Sequence, residues 1–318
     1  MDGEVQRARR LCLVNWALLL ALMLLLLLCL RMTSFSLEIE HVLLHVVATS
    51  MLFTAAGYWG LSIGKWAIRP AFALIAIAQL ELLFLFAGPL TYIAASTAFP
   101  LQDANLAFVD RLIGLDWPAY YRFVCDRPSL VPYVLLGYAM ITWPTVGVPV
   151  VLGLAGQYRR LQQFTLAVAL SVTVTGTISS LLPAIGTYRQ YGIEPDTSVL
   201  KASGYLIQLH VLPFVRDGSL RILNFENLGG IITFPSFHAA AAILALWAFW
   251  GVWWMRPLAL IANIAMLLAT PLVGGHYFID VFAGVGLAVL AIAAAQAIDG
   301  RFPVRTRRAV SSAIQKIA

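Results

Sequence analysis

LCLVNWALLLALMLLLLLCL, residues 11–30, runs for 20 positions without a charged side chain. An α-helix rising 1.5 Å per residue needs about 20 such residues to cross a hydrocarbon core of about 30 Å. Arg7, Arg9 and Arg10 precede the run and no small-x-small cleavage pattern follows it, so it reads as a retained anchor rather than a removed signal. Outward from it, seven more apolar segments have a similar character: 41–63, 70–95, 130–154, 162–184, 231–254, 257–274 and 277–298. The whole chain agrees, with 61% hydrophobic and 11% charged residues among 318, where a soluble domain has roughly 45–50% apolar and about 25% charged. Only lipid can solvate so much apolar surface. The expected fold class is therefore all-α: a polytopic integral membrane protein with about eight transmembrane helices.

The net charge is +6, yet the charges sit between apolar blocks, which excludes a nucleic-acid-binding patch as their explanation. With the N-terminus placed in the cytoplasm and the spans alternating, the inner segments hold Arg7, Arg9, Arg10, Lys65, Arg69, Arg159, Arg160, Arg256, Arg301, Arg305, Arg307, Arg308 and Lys316, which is 13 of the 21 basic residues. The acids there are Asp2, Glu4 and Asp299. This asymmetry satisfies the positive-inside rule and puts both termini in the cytoplasm. Two long outer loops remain, 97–129 and 185–230, too long for simple turns. In the first, residues 105–115 have helical periodicity, and Trp117, Tyr120 and Tyr121 suit a headgroup-level position, so these loops read as lids on the membrane. Of the three cysteines, none forms a CxxC, so neither a metal knuckle nor a disulfide framework is supported.

Two histidines fall at outer helix ends. His238 lies in Phe234-Pro-Ser-Phe-His238, with Pro235 suited to a first helical turn and Ser236 close to a helix N-terminus, a natural anion site. His276 lies in Gly274-Gly-His-Tyr-Phe-Ile-Asp280; four residues apart on a helix, His276 and Asp280 would share a face. A carboxylate holding one ring nitrogen leaves the other unprotonated and aimed, as a nucleophile or base requires. His238 could then give a proton to a leaving oxygen. His41, His45 and His210 read as ordinary interfacial residues, and Glu81 and Gln79, mid-helix, as buried structural groups. The Ser171–Ser180 run reads as a close-packing face, or a polar path to the site.

Pro235-Ser236-x-His238 followed by His276-x-x-x-Asp280 resembles the second and third signature motifs of the type 2 phosphatidic acid phosphatase superfamily, and is more similar to its inositol phosphorylceramide synthase branch. Arg216-Asp-Gly-Ser and Gly229-Gly-Ile-Ile-Thr-Phe-Pro-Ser-Phe-His238 also look like that branch. The resemblance spans roughly residues 130–298. It implies a six-helix catalytic core over 70–298, with 1–69 as a two-helix N-terminal addition and 299–318 as a basic cytoplasmic tail. It implies His276 as the nucleophile that becomes phosphohistidine, Asp280 as its orienting acid and His238 as the proton donor. It implies no metal or other cofactor, and a phospholipid, sphingolipid or polyprenyl-phosphate substrate within the membrane, handled on the periplasmic or lumenal side.

The chain departs from the superfamily's usual first motif, lysine-x6-arginine-proline, which is absent; just outside helix five it reads Pro183-Ala-Ile-Gly-Thr-Tyr-Arg189. The second-motif glycine is Phe237, and the third-motif arginine is Thr270. Phosphoryl transfer needs positive charge on the equatorial oxygens, so Arg189, Arg216 and Arg221 are the candidate phosphate-binding cations, ahead of Lys201, with Ser236 as a neutral phosphate ligand. Three rivals use the same residues. His238, His276 and Asp280 could ligate zinc, although no HExxH is present. They could form the proton relay of a transporter, although no internal repeat is visible. A lipid-binding relative without catalysis would also carry them.

Overall fold

The computed structural model describes residues 2–97, 99–193 and 205–301. Lys201 and the basic tail beyond Arg301 lie outside them. Long helices form where the apolar runs are: α1 (Asp2–Met32), α2 (His41–Ile63), α3 (Ile68–Ala95), α8 (Tyr158–Leu181), α12 (Arg256–Val273) and α13 (Phe278–Gly300). Among the described residues, six helices are long and apolar enough to cross a membrane. The chain is a multi-pass, all-α membrane protein. β1 (Ser36–Leu37) and β2 (Ile222–Leu223) make one short parallel pair that ties the α1–α2 link to the segment following α10 (Tyr205–Asp217).

Two expected spans differ from the helices observed. Residues 130–154 are not one helix: α6 (Val131–Ala139) and α7 (Pro144–Leu154) are bent by 61° at a short break. Pro144 lacks the N–H that would continue the helix, so α7 restarts with it at the first turn. The expected span 231–254 contains only α11 (Phe237–Trp250), 14 residues long. Pro235 stands before the helix rather than in its first turn, and Ser236 is the N-cap, its Oγ accepting the Ala239 N–H at 3.4 Å.

α3 and α8 form the centre. α1 lies against both, its Leu11, Leu19 and Leu22 in the same core as Phe72, Leu80, Phe164 and Phe249. Asn15 Nδ2 donates to the Gln162 carbonyl at 3.2 Å and to its Oε1 at 2.9 Å, and Gln79 Nε2 donates to the Cys12 carbonyl at 3.2 Å. These are interhelical ties between groups that lipid could not satisfy. α2 packs on α3, α11 sits among α8, α12 and α13, and α6 leans on α12. At the end of the bundle where α8 begins and α13 finishes, buried Asp299 accepts from Arg159 Nε and from Gln163 Nε2.

The 97–129 connection is folded. It carries α4 (Asp103–Leu112) and α5 (Trp117–Cys125). Trp117 is fully buried in protein, stacked on Tyr191 at 5.7 Å, and its Nε1 donates to the Pro271 carbonyl at 2.9 Å. Tyr120 Oη donates to the Leu268 carbonyl and Tyr188 Oη to the Leu272 carbonyl, each at 2.8 Å. The last carbonyls of a helix have no partner within it. The Pro271 carbonyl is such a group; with those of Leu268 and Leu272 it lets three aromatic donors clamp the last turns of α12 just before the Gly274-Gly275-His276 turn.

Candidate active site

His276 precedes α13 rather than riding on it. Tyr277 is the N-cap, and Asp280, at the third helical position, accepts the Tyr277 N–H on Oδ2 at 2.8 Å. The same Oδ2 lies 3.3 Å from His276 Nδ1. The pairing therefore arises from a helix-capping carboxylate that also reaches back to the preceding histidine, not from two side chains on one helical face. His276 Nε2 faces the other way, 3.3 Å from Ser236 Oγ. His276 is 3% exposed, and Asp280 and Ser236 are wholly buried. With Nδ1–H donating to Asp280, Nε2 keeps its lone pair and Ser236 can donate to it.

Two backbone features bring Ser236 to this place. The Ser236 N–H donates to the Asp280 carbonyl at 3.0 Å, joining the start of α11 to the first turn of α13. Gly284, one turn further along α13, lets them close: a Cβ there would stand 2.2 Å from the Ser236 carbonyl oxygen. Gly284→Ala is expected to push the two helices apart and lower turnover roughly 10²-fold, because a misplacement near 1 Å suffices for that. Specific activity of protein that still elutes as a single folded species checks it; activity within twofold of wild type would show the contact is not needed. Gly275, at φ +62°, makes the left-handed turn that delivers His276, and a Cβ on it would collide with the Tyr205 ring at 2.3 Å.

His238 lies in the first turn of α11, its ring stacked on Tyr138 with centroids 4.0 Å apart and planes at 14°. Among the described residues nothing hydrogen-bonds to that ring. His238 and His276 line one cavity of about 530 Å³. Its wall is mainly apolar, from Phe84, Leu85, Val172, Ile231 and Phe237, with Thr91, Thr175, Gln208 and Glu81 as polar points. Thr175 comes from the Ser171–Ser180 run of α8, so part of that run does face the cavity. The upper wall is fixed by Tyr92 Oη, which accepts the Gly229 N–H at 3.1 Å, and by Gln208 Nε2, which donates to the Ala184 carbonyl at 3.0 Å. Burial pushes the Tyr205 phenol up to about 12, so that wall stays neutral.

A profile describing the PAP2 superfamily matches residues 104–294, from α4 into α13. The chain belongs to the PAP2 superfamily. It is thus a membrane protein of a phosphatase-type family, and the match covers both histidine motifs together with the aromatic clamp. No curated protein and no solved structure matches it.

His238 and His276 line one cavity, with Asp280 on the far side of His276; the candidate cations lie elsewhere. No lysine or arginine is among the described residues lining the cavity. Arg189, on α9 (Thr187–Gln190), is exposed and shares a separate cavity of about 430 Å³ with Arg216, Asp217 and Leu101. Arg216 Nη2 donates to the Phe99 carbonyl at 2.8 Å. Arg221 Nη1 donates to the Val215 and Leu220 carbonyls, each at 2.9 Å, and its guanidinium lies 4.5 Å over the Phe35 ring. Thr270, at the usual third-motif arginine position, is buried and bonds back to the Met266 carbonyl.

Two acids of α4 were not singled out by the sequence. Asp110, wholly buried, accepts the Phe278 N–H on Oδ2 and the Ile279 N–H on Oδ1, each at 2.8 Å. Burial pushes its carboxyl up from the usual range, against the pull of those two donors. Asp103 accepts the Gly186 N–H at 2.7 Å and the Tyr277 hydroxyl at 2.9 Å. Together they fasten α4 across the N-terminus of α13, beside His276. Their spacing of seven residues, two helical turns, was the one available signal.

Proposed function

We propose that this PAP2-superfamily protein cleaves or transfers the phosphate ester of a membrane lipid through a phosphohistidine. His276 Nε2 attacks phosphorus as the bond to the leaving oxygen breaks, and protonated His238 gives its proton to that oxygen. Asp280 holds Nδ1–H and balances the charge that forms on the imidazole. Water or an acceptor hydroxyl then attacks the phosphohistidine, His238 takes its proton, and His276 is released. The observation that carries this reading is the opposed aim of the two His276 nitrogens, one on a buried carboxylate and one towards the start of α11, beside a cavity that His238 also lines.

Without a lining cation, phosphate charge has to meet other donors. The Phe237 and His238 N–H groups, first in α11, take no acceptor among the described residues, and a helix N-terminus with free amides favours an anion. His238, once protonated beside a bound phosphate, would add a full charge to these dipoles. The Phe-Pro-Ser-x-His and His-Tyr-x-x-Asp runs, with the first-motif cations missing, favour the inositol phosphorylceramide synthase branch and hence transfer to a lipid or polyol hydroxyl over hydrolysis. The basic inner loops favour a site opening to the non-cytoplasmic leaflet.

Detergent-purified protein should release or transfer phosphate from a panel of lipid phosphates and phosphodiesters, each offered with and without a hydroxyl acceptor. Activity should survive chelator, and phosphorus-labelled donor should leave an acid-labile, alkali-stable label on the protein. Activity that chelator removes would point to the metal reading; absence of turnover and label with every pair would refute the proposal.

A further inference from the structure

The histidine cavity has a second ionisable end. Glu81 lines it, on a stripe of α3 that continues through Phe84, Leu85, Gly88 and Thr91 at helical spacing. It is not remote from the histidines. Phe84, one turn from Glu81, meets the Phe237 ring edge-on at 6.1 Å, and Phe237 adjoins His238. Glu81 Oε2 accepts from Ser50 Oγ at 2.8 Å and Thr49 Oγ1 at 3.3 Å, both on α2. Among the described residues, no donor reaches Oε1 and no lysine or arginine lines the cavity.

A carboxylate within a membrane bundle is costly without a countercharge, and such residues mark where a ligand or ion passes. Here two hydroxyls fix one oxygen, the other is left over, and aromatic rings at Phe84, Phe237 and Phe225 share the wall. A carboxylate beside aromatic faces is complementary to an ammonium group. We propose that Glu81 is a specificity-determining subsite that receives a cationic amine carried by the lipid in the cavity. That assignment rests on the phosphoryl-transfer reading only for what happens at the histidine end. The amine could belong to the phosphate donor's headgroup or to the acceptor, and matched lipid pairs separate the two.

Equilibrium binding to the full chain in nanodiscs, which needs no turnover, tests this apart from catalysis. The donor arm compares short-chain phosphatidylethanolamine with phosphatidylglycerol. The acceptor arm compares a long-chain amino alcohol with the corresponding diol. Wild type should prefer the amine in one arm by about tenfold, the scale of one desolvated cation contact. Glu81→Gln keeps an oxygen for Ser50 and Thr49; it should erase that preference while leaving the amine-free partner within about twofold. The arm that responds names the source. No amine preference in wild type in either arm overturns the proposal, whether or not the variant folds. So does equal loss of both partners in Glu81→Gln, which would mean a structural role. A preserved preference in protein that never turns over would instead fault the catalytic reading alone.

Discussion

His276→Ala is expected to abolish phosphate release and transfer, a loss on the order of 10⁴-fold or more, because removing a covalent nucleophile leaves only positioning and electrostatics. Asp280→Asn should be nearly as severe, roughly 10³- to 10⁴-fold, since an amide can turn its NH₂ to Nδ1 and so favour the wrong tautomer. Variants of the two histidines differ in the label left on the protein. His276→Ala should carry none, whereas His238→Ala should still acquire phosphorus from a donor with a good leaving group and release it slowly, because it lacks the proton carrier and not the nucleophile. Single-turnover labelling with an aryl phosphate donor reads all three. Phosphorus on His276→Ala, or equal labelling in every variant, would mean that His276 is not the atom attacked.

Asp110→Ala should destabilise the protein by about 2–5 kcal/mol, although it is far from the histidines in sequence and absent from the motifs. Its two oxygens each hold an amide of α13's first turn, and orphaning two part-buried donors costs about 1–2.5 kcal/mol apiece. Because that turn carries Asp280 and abuts His276, turnover should fall with little change in KM. Asp110→Asn, which keeps one acceptor, should recover part of both. Thermal unfolding in detergent alongside kinetics at saturating lipid would reveal it. An Asp110→Ala protein with unchanged midpoint and turnover would show that α13 caps itself.

The helical architecture was legible because lipid imposes one strong constraint, long uncharged runs, and residues 11–30, 41–63 and 70–95 could hardly be anything else. Where apolar composition and backbone chemistry disagree, the composition misleads. Pro144 breaks a run that hydropathy reads as continuous, and Pro235 with Ser236 cuts the α11 span to 14 residues. The histidine–aspartate pairing was visible from spacing, though the reason differs: a cap, not a helical face. The burial of Trp117 was not legible because an indole is equally at home at a lipid headgroup and in a core with a free carbonyl, and only the fold supplies that carbonyl from Pro271. Asp103 and Asp110 were hidden for the same reason, as their partners are backbone amides that no sequence pattern names. Glu81 was set aside as too deep, on the premise that the histidines sit at the rim.

The 14-residue α11 also bears on how the bundle meets its bilayer. It is about 21 Å long at 1.5 Å per residue, against about 42 Å for the 28 residues of α3. A hydrocarbon core near 30 Å is thicker than α11. α11 alone therefore cannot reach both surfaces of such a core, and the difference has to be made up by neighbouring segments, bilayer thinning or tilt. Under the proposed phosphoryl chemistry, turnover is expected to change with bilayer thickness, and reconstitution in lipids of graded chain length would read it.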